Sequence, residues 1–389
     1  MNIHELHIHH FRNLHRVTLH FASCNVFIGH NGSGKTSLLE SIYLLSRGKS
    51  FRHHQPKHYI EHGYQTTTVF ARLSDTLTDD KSNEQIVAIE KALDASTQLR
   101  HNGQTLLTQS PLAQLLPTLL LEPISLTNLE QGSQVRRELL DWLLFHVEQN
   151  FHREWLAYQR LLKQRNTLLK QVSHIDQLST WQRQELAAWD KQLSQHASHI
   201  HQQREAILTE WQPHFLQQVQ AFLPQYAEQL RLRYSVGYDV NIGLETLLVE
   251  RVASDVELGY TRMGSHRADI NVMLDTQHID EAGHSHKHTL AATDMLSRGE
   301  KKLLMTAFRL SQLPLLNARG KVPLVLIDDI TAELDDRALS LLLKALKQVN
   351  SQLFITTLST DILPMIKEIW QDDVKLFHVE HGKVSLANH

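Results

Sequence analysis

The chain has 389 residues, 41% of them hydrophobic and 21% charged, with a formal net charge of −3, enough for a large core and more than one structural unit. That charge excludes a protein basic throughout, so any nucleic-acid contact must be concentrated on one face or assembled by dimerisation. The single cysteine, Cys24, excludes an intramolecular disulfide and fits a reducing compartment.

The chain opens MNIHELHIHHF, without the apolar stretch of a signal peptide. Residues 3–9 and 16–21 alternate apolar and polar side chains around FRN, which predicts paired strands. NVFIG, Asn25 to Gly29, is a short apolar run that leads into GHNGSGKT, and KTSLLESIYLLS follows with apolar residues at helical spacing. TTTVFARL, QIVAIEKAL and TQLRHNGQTLL read as strands, with Asn102-Gly103 as a type I′ turn, so an antiparallel sheet is expected beside the first core. The most apolar run, PLAQLLPTLLLEP, is too short and too broken by proline to span a bilayer. The expectation is a cytoplasmic protein with no membrane partner.

From Glu130 to Trp211 the pattern is helical and nearly free of glycine and proline. Leu161 and Leu168, like Leu162 and Leu169, recur at seven-residue spacing, and Leu186, Trp189, Leu193, Ala197, Ile200, Ile207 and Trp211 follow three-four spacing beyond a break at SHIDQLST. This predicts two antiparallel helices packed as a short coiled coil, ended or kinked at Pro213. The cluster HSHKH, His284 to His288, lacks accompanying cysteines or ordered carboxylates and reads as an exposed hairpin tip. VPLVLIDDI is a continuous apolar run ending in two aspartates, RALSLLLKALKQV a helix, QLFITTLS a second buried strand, and VKLFHVEHGKVSL a hairpin. The expected organisation is a split α/β head, 1–120 and 226–389, with a helical lobe at 121–225 inserted between its halves.

GHNGSGKT matches G-x-x-x-x-G-K-[ST] at every fixed position, and its setting between an apolar strand and a helix is the one a phosphate-binding loop requires. Backbone N–H groups from Gly29, His30, Asn31, Gly32, Ser33, Gly34 and onward to Ser37 would cradle the phosphates of ATP, aided by the helix dipole. Lys35 would reach the β- and γ-phosphates, and the Thr36 hydroxyl would ligate Mg²⁺. Asp328, at a buried strand end, would hold the Mg²⁺ directly or through water. Asp329 would orient or deprotonate the attacking water. The chemistry is phosphoryl transfer to water, which rests on positioning and charge neutralisation. No arginine finger is evident near Gly29 to Thr36.

A second anion-binding turn lies far away in TDMLSRGEKKLLM, where Ser297, Gly299 and Glu300 precede a helix. Taken alone, Ser297 is also readable as an ordinary helix N-cap. If this turn meets the ATP of a second copy, a two-fold dimer buries two nucleotides, and loss of the γ-phosphate on hydrolysis weakens the interface.

The P-loop, LSRGE and DDITAELD together resemble the ABC-type ATPases, in which the last aspartate, here Asp335, lies at the dimer interface. HFRNL, GHNGSGKTSLLESIYLLSRGKSFR, GSQVRRELLD, YQRLLKQRNTLL, MGSHRADI, LSRGEKKLL and LIDDITAELDD extend the resemblance to the RecF family, related to SMC heads, over nearly the whole chain. The fold this implies is α/β: an ABC-type P-loop head of mixed sheet, helices and an antiparallel β subdomain, with an inserted helical lobe containing a short antiparallel coiled coil. The resemblance further implies a weak ATPase that dimerises on ATP, binds duplex DNA and gap junctions, and acts with RecR and RecO to load RecA. Other SMC-like DNA-associated ATPases, and more remotely a transporter nucleotide-binding subunit, are the alternatives. Gln134 and Ser265 stand where that family carries proline, and Thr357 stands near the position of a transporter's switch histidine, which implies slow turnover. Arg136, Arg137, Lys163, Arg165 and Lys170 are the candidate contacts to duplex phosphates, where affinity is sequence-independent and falls with salt.

Overall fold

The computed structural model describes residues 1–74, 84–279, 285–329 and 333–387, and the side chains of all these except 277–279 and 285–287. The chain forms two compact units, the first from 1–126 and 316–389, the second from 127–315.

The first unit begins with strands β1 (Asn2–Phe11), β2 (Leu14–His20) and β3 (Cys24–Ile28), followed by helix α1 (Lys35–Arg47). Strands β4 (Thr66–Ser74), β5 (Gln85–Ala92), β6 (Thr97–His101) and β7 (Gln104–Leu106) lead to α2 (Ser110–Leu115) and β8 (Thr118–Leu121). Among the described residues, β2-β1-β4-β5-β6-β7 form a six-stranded sheet, antiparallel throughout. Asn102 and Gly103 join β6 to β7 with φ of 48° and 79°, the paired positive values a type I′ turn requires.

The second unit contains α3 (Ser133–Val147), α4 (Phe151–Leu169), α5 (Thr180–Phe222), β9 (Leu230–Ser235), α6 (Leu244–Glu250), α7 (Val252–Leu258), β10 (Asp269–Ile279), β11 (Ser285–Ala291), α8 (Ala292–Met295) and α9 (Arg298–Leu310). Helix α10 (Leu313–Ala318) leads back to the first unit, which is completed by β12 (Leu324–Asp328), α11 (Asp336–Gln348), β13 (Leu353–Thr357), α12 (Leu363–Trp370), β14 (Val374–Glu380) and β15 (Lys383–Leu386). Among the described residues these strands join β3 and β8 in a second six-stranded sheet, ordered β15-β14-β3-β13-β12-β8 and parallel except at β15. Every residue of β3, β12 and β13 is buried, which is why their sequences are mostly apolar and do not alternate. Helix α1 buries Leu38, Leu39, Ile42 and Leu45 in one core shared with Ile3, Leu6 and Val69 of the antiparallel sheet and Leu326, Phe354 and Phe377 of the mixed one.

In the second unit α4 and α5 pack together. Leu161, Leu162, Leu168 and Leu169 are buried on α4, and Leu186, Leu193, Ala197 and Ile200 on α5, the two apolar stripes that the seven-residue and three-four spacings predict. Ser179 caps α5 by accepting from the Gln182 N–H, and Gln182 answers the Ser179 N–H. The helix does not end at Pro213. It continues for nine residues to Phe222 because Trp211, Phe215, Val219 and Phe222 extend its buried stripe, and that burial outweighs the hydrogen bond proline cannot make. Residues 226–315, grouped with the head in the expectation above, pack within this second unit. The antiparallel strands β11-β10-β9 lie against α3 and α5, with Leu230 and Leu232 of β9 buried. Of the histidine cluster, His284 lies outside the described residues, while 285–288 belong to β11, paired with β10. Among the described residues no helix is long and apolar enough to cross a membrane.

Arg165 is fully buried where α4 meets α5 and α7, its Nε 2.7 Å from Asp190 and one NH 2.7 Å from Asp255. A third contact runs 2.8 Å to the Thr261 hydroxyl. This corrects its assignment as a DNA contact: the side chain cannot reach a phosphate without leaving two carboxylates buried and unpaired. Arg165→Ala is expected to destabilise the protein by about 3–5 kcal/mol, the usual cost of removing one partner from a buried charge network. Urea denaturation checks it; a loss below about 1 kcal/mol contradicts the structural role.

Candidate nucleotide site

The phosphate loop spans the gap between the buried end of β3 and the first turn of α1. Gly32 and Gly34 have φ of 77° and 119°, values that L side chains rarely adopt. A side chain at Gly29 would place its Cβ 2.2 Å from the Val379 carbonyl. The loop is braced from two sides: the Ser33 carbonyl accepts from the Gly382 N–H (2.8 Å) and from Asn13 Nδ2 (3.0 Å), while Ser37 donates to Asn13 Oδ1 (3.1 Å). Lys35 curls back so that Nζ donates to the carbonyls of Gly29 (2.6 Å) and His30 (3.0 Å). Burial lowers the Lys35 pKa, against the pull of Asp329 and Asp328.

Strand order brings the other half of this site into place. The parallel pairing β3-β13-β12 sets Ile28, Thr357 and Asp328 at neighbouring strand ends. Asp328 Oδ1 accepts from Thr36 (3.0 Å) and from Thr356 (2.7 Å). The Thr356 oxygen in turn accepts from the Asp329 N–H (3.0 Å). Asp329 itself has φ 51°, a left-handed conformation in which aspartate is enriched. Its carboxyl pKa is raised by burial and then by Asp328, with Lys35 opposing. The Thr36 hydroxyl and the Asp328 carboxylate are hard oxygen donors already in contact, a set that fits Mg²⁺.

Two more groups converge here. Glu40, fully buried on α1, accepts from Arg12 (NH2 to Oε1 2.8 Å) and from the Ser50 hydroxyl. Ser50 then accepts the N–H groups of Arg52 (3.0 Å) and His53 (2.9 Å). This buried acid thereby holds the 50–53 turn so that Arg52 lines the phosphate cavity, a space of about 120 Å³ also bounded by Asn31–Ser37, Asp328, Asp329 and Thr356. Glu122 follows β8, whose Leu121 pairs with Ile327. Burial first, and Asp328 second, push its pKa up to about 7, with Arg52 opposing.

The second turn belongs to the other unit. Ser297 caps α9: its hydroxyl accepts from the Glu300 N–H (3.4 Å), and Glu300 accepts from the Ser297 N–H (2.9 Å) and the Tyr226 hydroxyl (3.1 Å). Ser297, Arg298 and Gly299 are exposed, and among the described residues nothing beyond its own chain neighbours and helix backbone lies within 4 Å of where a Cβ on Gly299 would sit. Asp335 is the exposed N-cap of α11, accepting from the Ala338 N–H at 2.7 Å.

Residues 2–384 match the model of the RecF/RecN/SMC N-terminal domain. The chain is 40% identical over 385 residues to the DNA replication and repair protein RecF of Acinetobacter baylyi, covering 99% of each chain. The identity to the protein of that description from Cellvibrio japonicus is 36%, again over 99% of each. The chain belongs to the RecF family. Its fold also matches a solved RecF–ATP structure, described as a recombination mediator in the RecFOR pathway, with TM-score 0.79 at 23% identity over 99% of this chain and 97% of that one. An SMC head bound to the C-winged helix domain of ScpA matches with TM-score 0.57 at 16% identity, covering 100% and 97%.

Within this RecF-family chain the structure gathers Gly29–Ser37, Asp328 and Asp329 at one place and sets Ser297, Gly299 and Glu300 in the other unit. Sequence reasoning missed Asn13, Arg52, Glu122 and Thr356. Arg52 and Asn13 sit inside GKSFR and HFRNL, stretches that carried the family resemblance; Glu122 and Thr356 had no local signal. Thr357, set beside the switch histidine by its position, instead donates to the Ser359 carbonyl (3.0 Å). Of the basic candidates, Arg136 binds Asp269 (2.7 Å) and the Leu129 and Gln131 carbonyls, and Arg137 the Ala268 carbonyl. Both are held internally. Arg160 and Lys163 on α4, and Lys170 just past its end, are exposed along a groove that also includes Leu156 and Thr167.

Glu122 generates a pH prediction for the nucleotide-free protein. Its folded pKa of about 7 exceeds its ordinary 4.5, so the folded state holds the proton longer and stability falls as pH rises between those values. Glu122→Gln should remove that slope and, allowing for partial exposure, gain about 1–2 kcal/mol over wild type at pH 8. Denaturation curves from pH 5 to 8 check this; parallel profiles for the two proteins contradict it.

Proposed function

We propose that this chain is an ATP-dependent DNA-binding protein whose dimerisation is switched by the γ-phosphate. The observation that carries this is the pairing of one P-loop cavity, furnished with Lys35, Thr36 and Asp328, with an exposed, pre-capped Ser297 turn in the other unit. ATP would take Lys35 Nζ from its loop carbonyls, and Mg²⁺ would be held by Thr36 and Asp328, supplying charge neutralisation at the phosphates. Arg52 would add a positive charge from the cavity wall. The partner copy's turn would offer the hydroxyl of Ser297, the N–H groups near Gly299 and the dipole of α9, with Asp335 near the interface. Asp329, beside Asp328 at the strand end, would orient the attacking water. With a threonine in the switch position, turnover would be slow.

The names of its relatives support a role in DNA replication and repair, and the RecFOR pathway named for the solved RecF structure supports action with RecR and RecO; loading of RecA at single-strand gaps is the outcome we assign to that action. The site of action would be the cytoplasm. Arg160, Lys163 and Lys170 span about 15 Å along the C-terminal end of α4 and its cap and are our candidates for the duplex backbone.

Sedimentation with ADP and with ATP, each with and without gapped DNA, tests the switch. Wild type should dimerise with ATP alone. Lys35→Ala should neither bind ATP nor dimerise, Ser297→Arg should bind ATP as a monomer, and Asp329→Asn should give a longer-lived dimer. A normal ATP-dependent dimer from Ser297→Arg would remove the trans role. On DNA, Lys163→Ala with Lys170→Ala should weaken binding equally across sequences and reduce the slope of log affinity against log salt by about 0.9 per lost contact. An unchanged slope, measured by anisotropy, would place the DNA surface elsewhere.

A further inference from the structure

Outside the nucleotide site, His10, His15 and Glu61 bring three metal-ligating atoms within 4.8 Å of one another, alone in doing so among the described residues. Glu61 Oε2 lies 2.8 Å from His10 Nδ1 and 3.0 Å from His15 Nδ1, and its Oε1 lies 3.2 Å from His15 Nδ1. In a tetrahedral zinc site with bonds near 2.0–2.1 Å, ligand atoms are about 3.3 Å apart. The contacts between Glu61 and the two imidazoles are therefore within a few tenths of an ångström of that spacing, and all three atoms lie within 4.8 Å.

The backbone holds the ligands in this arrangement. His10 lies in β1 between the His9–Arg16 and Phe11–Leu14 pairs with φ 55°, and its carbonyl accepts from the Glu61 N–H at 2.9 Å. Phe11 bridges Ile60, and the Arg12 N–H donates to the Tyr59 carbonyl at 2.7 Å. Tyr64 stacks on the His10 ring, centroids 3.6 Å apart and planes 14° from parallel, which fixes the imidazole. Burial would raise the Glu61 pKa, but hydrogen bonds from His10 and His15 bring it below the usual range, so the carboxylate is anionic. His15 is 62% exposed, leaving a route for an ion and for a water as fourth ligand.

We propose that His10, His15 and Glu61 form a binding site for a divalent transition metal of the zinc class. Two imidazoles with one carboxylate suit Zn²⁺, Co²⁺ or Ni²⁺ and disfavour Mg²⁺, which takes oxygen ligands. The ion would replace hydrogen bonds that now join β1, β2 and the 59–64 segment. It would stiffen the turn that carries Arg12 to Glu40 and Asn13 to the phosphate loop.

The test uses the untagged full chain without nucleotide, titrated with Zn²⁺ by calorimetry and with Co²⁺ by visible absorption. Because the chain has 27 histidines, the comparison is with His15→Ala, at an exposed position where folding is undisturbed, and with Glu61→Gln. The proposal predicts one tight Zn²⁺ site in wild type, Co²⁺ bands of tetrahedral intensity, and at least tenfold weaker Zn²⁺ binding with loss of those bands in both variants. Absence of tight Zn²⁺ binding in wild type overturns it, and so does unchanged affinity and stoichiometry in both variants.

Discussion

A single carboxylate oxygen joins the two ends of this chain's chemistry. Asp328 Oδ1 accepts from Thr36 on the phosphate-loop helix and from Thr356 on the neighbouring strand, residues separated by 292 and 28 positions respectively. That contact exists only because β3, β13 and β12 pair in parallel and in one register. A slip of one residue in β12 would turn Asp328 to the other face of the sheet and put an apolar side chain against the P-loop. These five-residue, fully buried strands therefore serve the site as much as the core. Their largely apolar sequences favour the alignment that buries them and still presents a carboxylate at the edge.

Around that contact the site is built by buried polar groups acting at one remove. Glu40 touches neither the phosphate loop nor Asp328 by any hydrogen bond described above, yet it anchors Arg12 and, through Ser50, the turn that carries Arg52 into the cavity. Asn13 braces the loop carbonyl of Ser33 and the hydroxyl of Ser37. A loop that must bind several negative charges benefits from such rigidity, since its N–H groups are then aimed before the ligand arrives. The turn proposed as the second phosphate ligand is likewise prebuilt, with its serine and glutamate already closed in a reciprocal cap. The two readings of LSRGE, helix cap and phosphate ligand, are therefore compatible, because the cap leaves the Ser297 hydroxyl at an exposed helix N-terminus.

Much of this was legible in the sequence where chemistry depends on fixed local spacing. The P-loop, the buried strands, the type I′ turn at Asn102-Gly103 and the paired stripes of α4 and α5 follow from residues close together in the chain. What depended on tertiary register was not legible. FITT offers two threonines, and only strand pairing decides that Thr356 rather than Thr357 meets Asp328. Glu122 owes its raised pKa first to burial and then to Asp328, more than two hundred positions away. Arg165 is instructive because a signal existed: it lies four residues after Leu161 and three before Leu168, on the buried stripe, so its positive charge pointed inward to Asp190 and Asp255. HSHKH drew the eye as a histidine cluster, whereas the histidines that converge with a carboxylate are five residues apart on a hairpin, with Glu61 brought to them by a bridge.

The proposed dimer switch depends on a γ-phosphate gripped by the loop of one subunit and the serine turn of another. The most direct measurement is ATP hydrolysis by an equal mixture of Lys35→Ala and Ser297→Arg proteins, each inactive by itself. If the two halves of a site come from different subunits, the mixed dimer places both substitutions in one site and leaves the other intact, so the mixture regains hydrolysis. A mixture no more active than the sum of its components would show that each chain completes its own site, and would contradict the account.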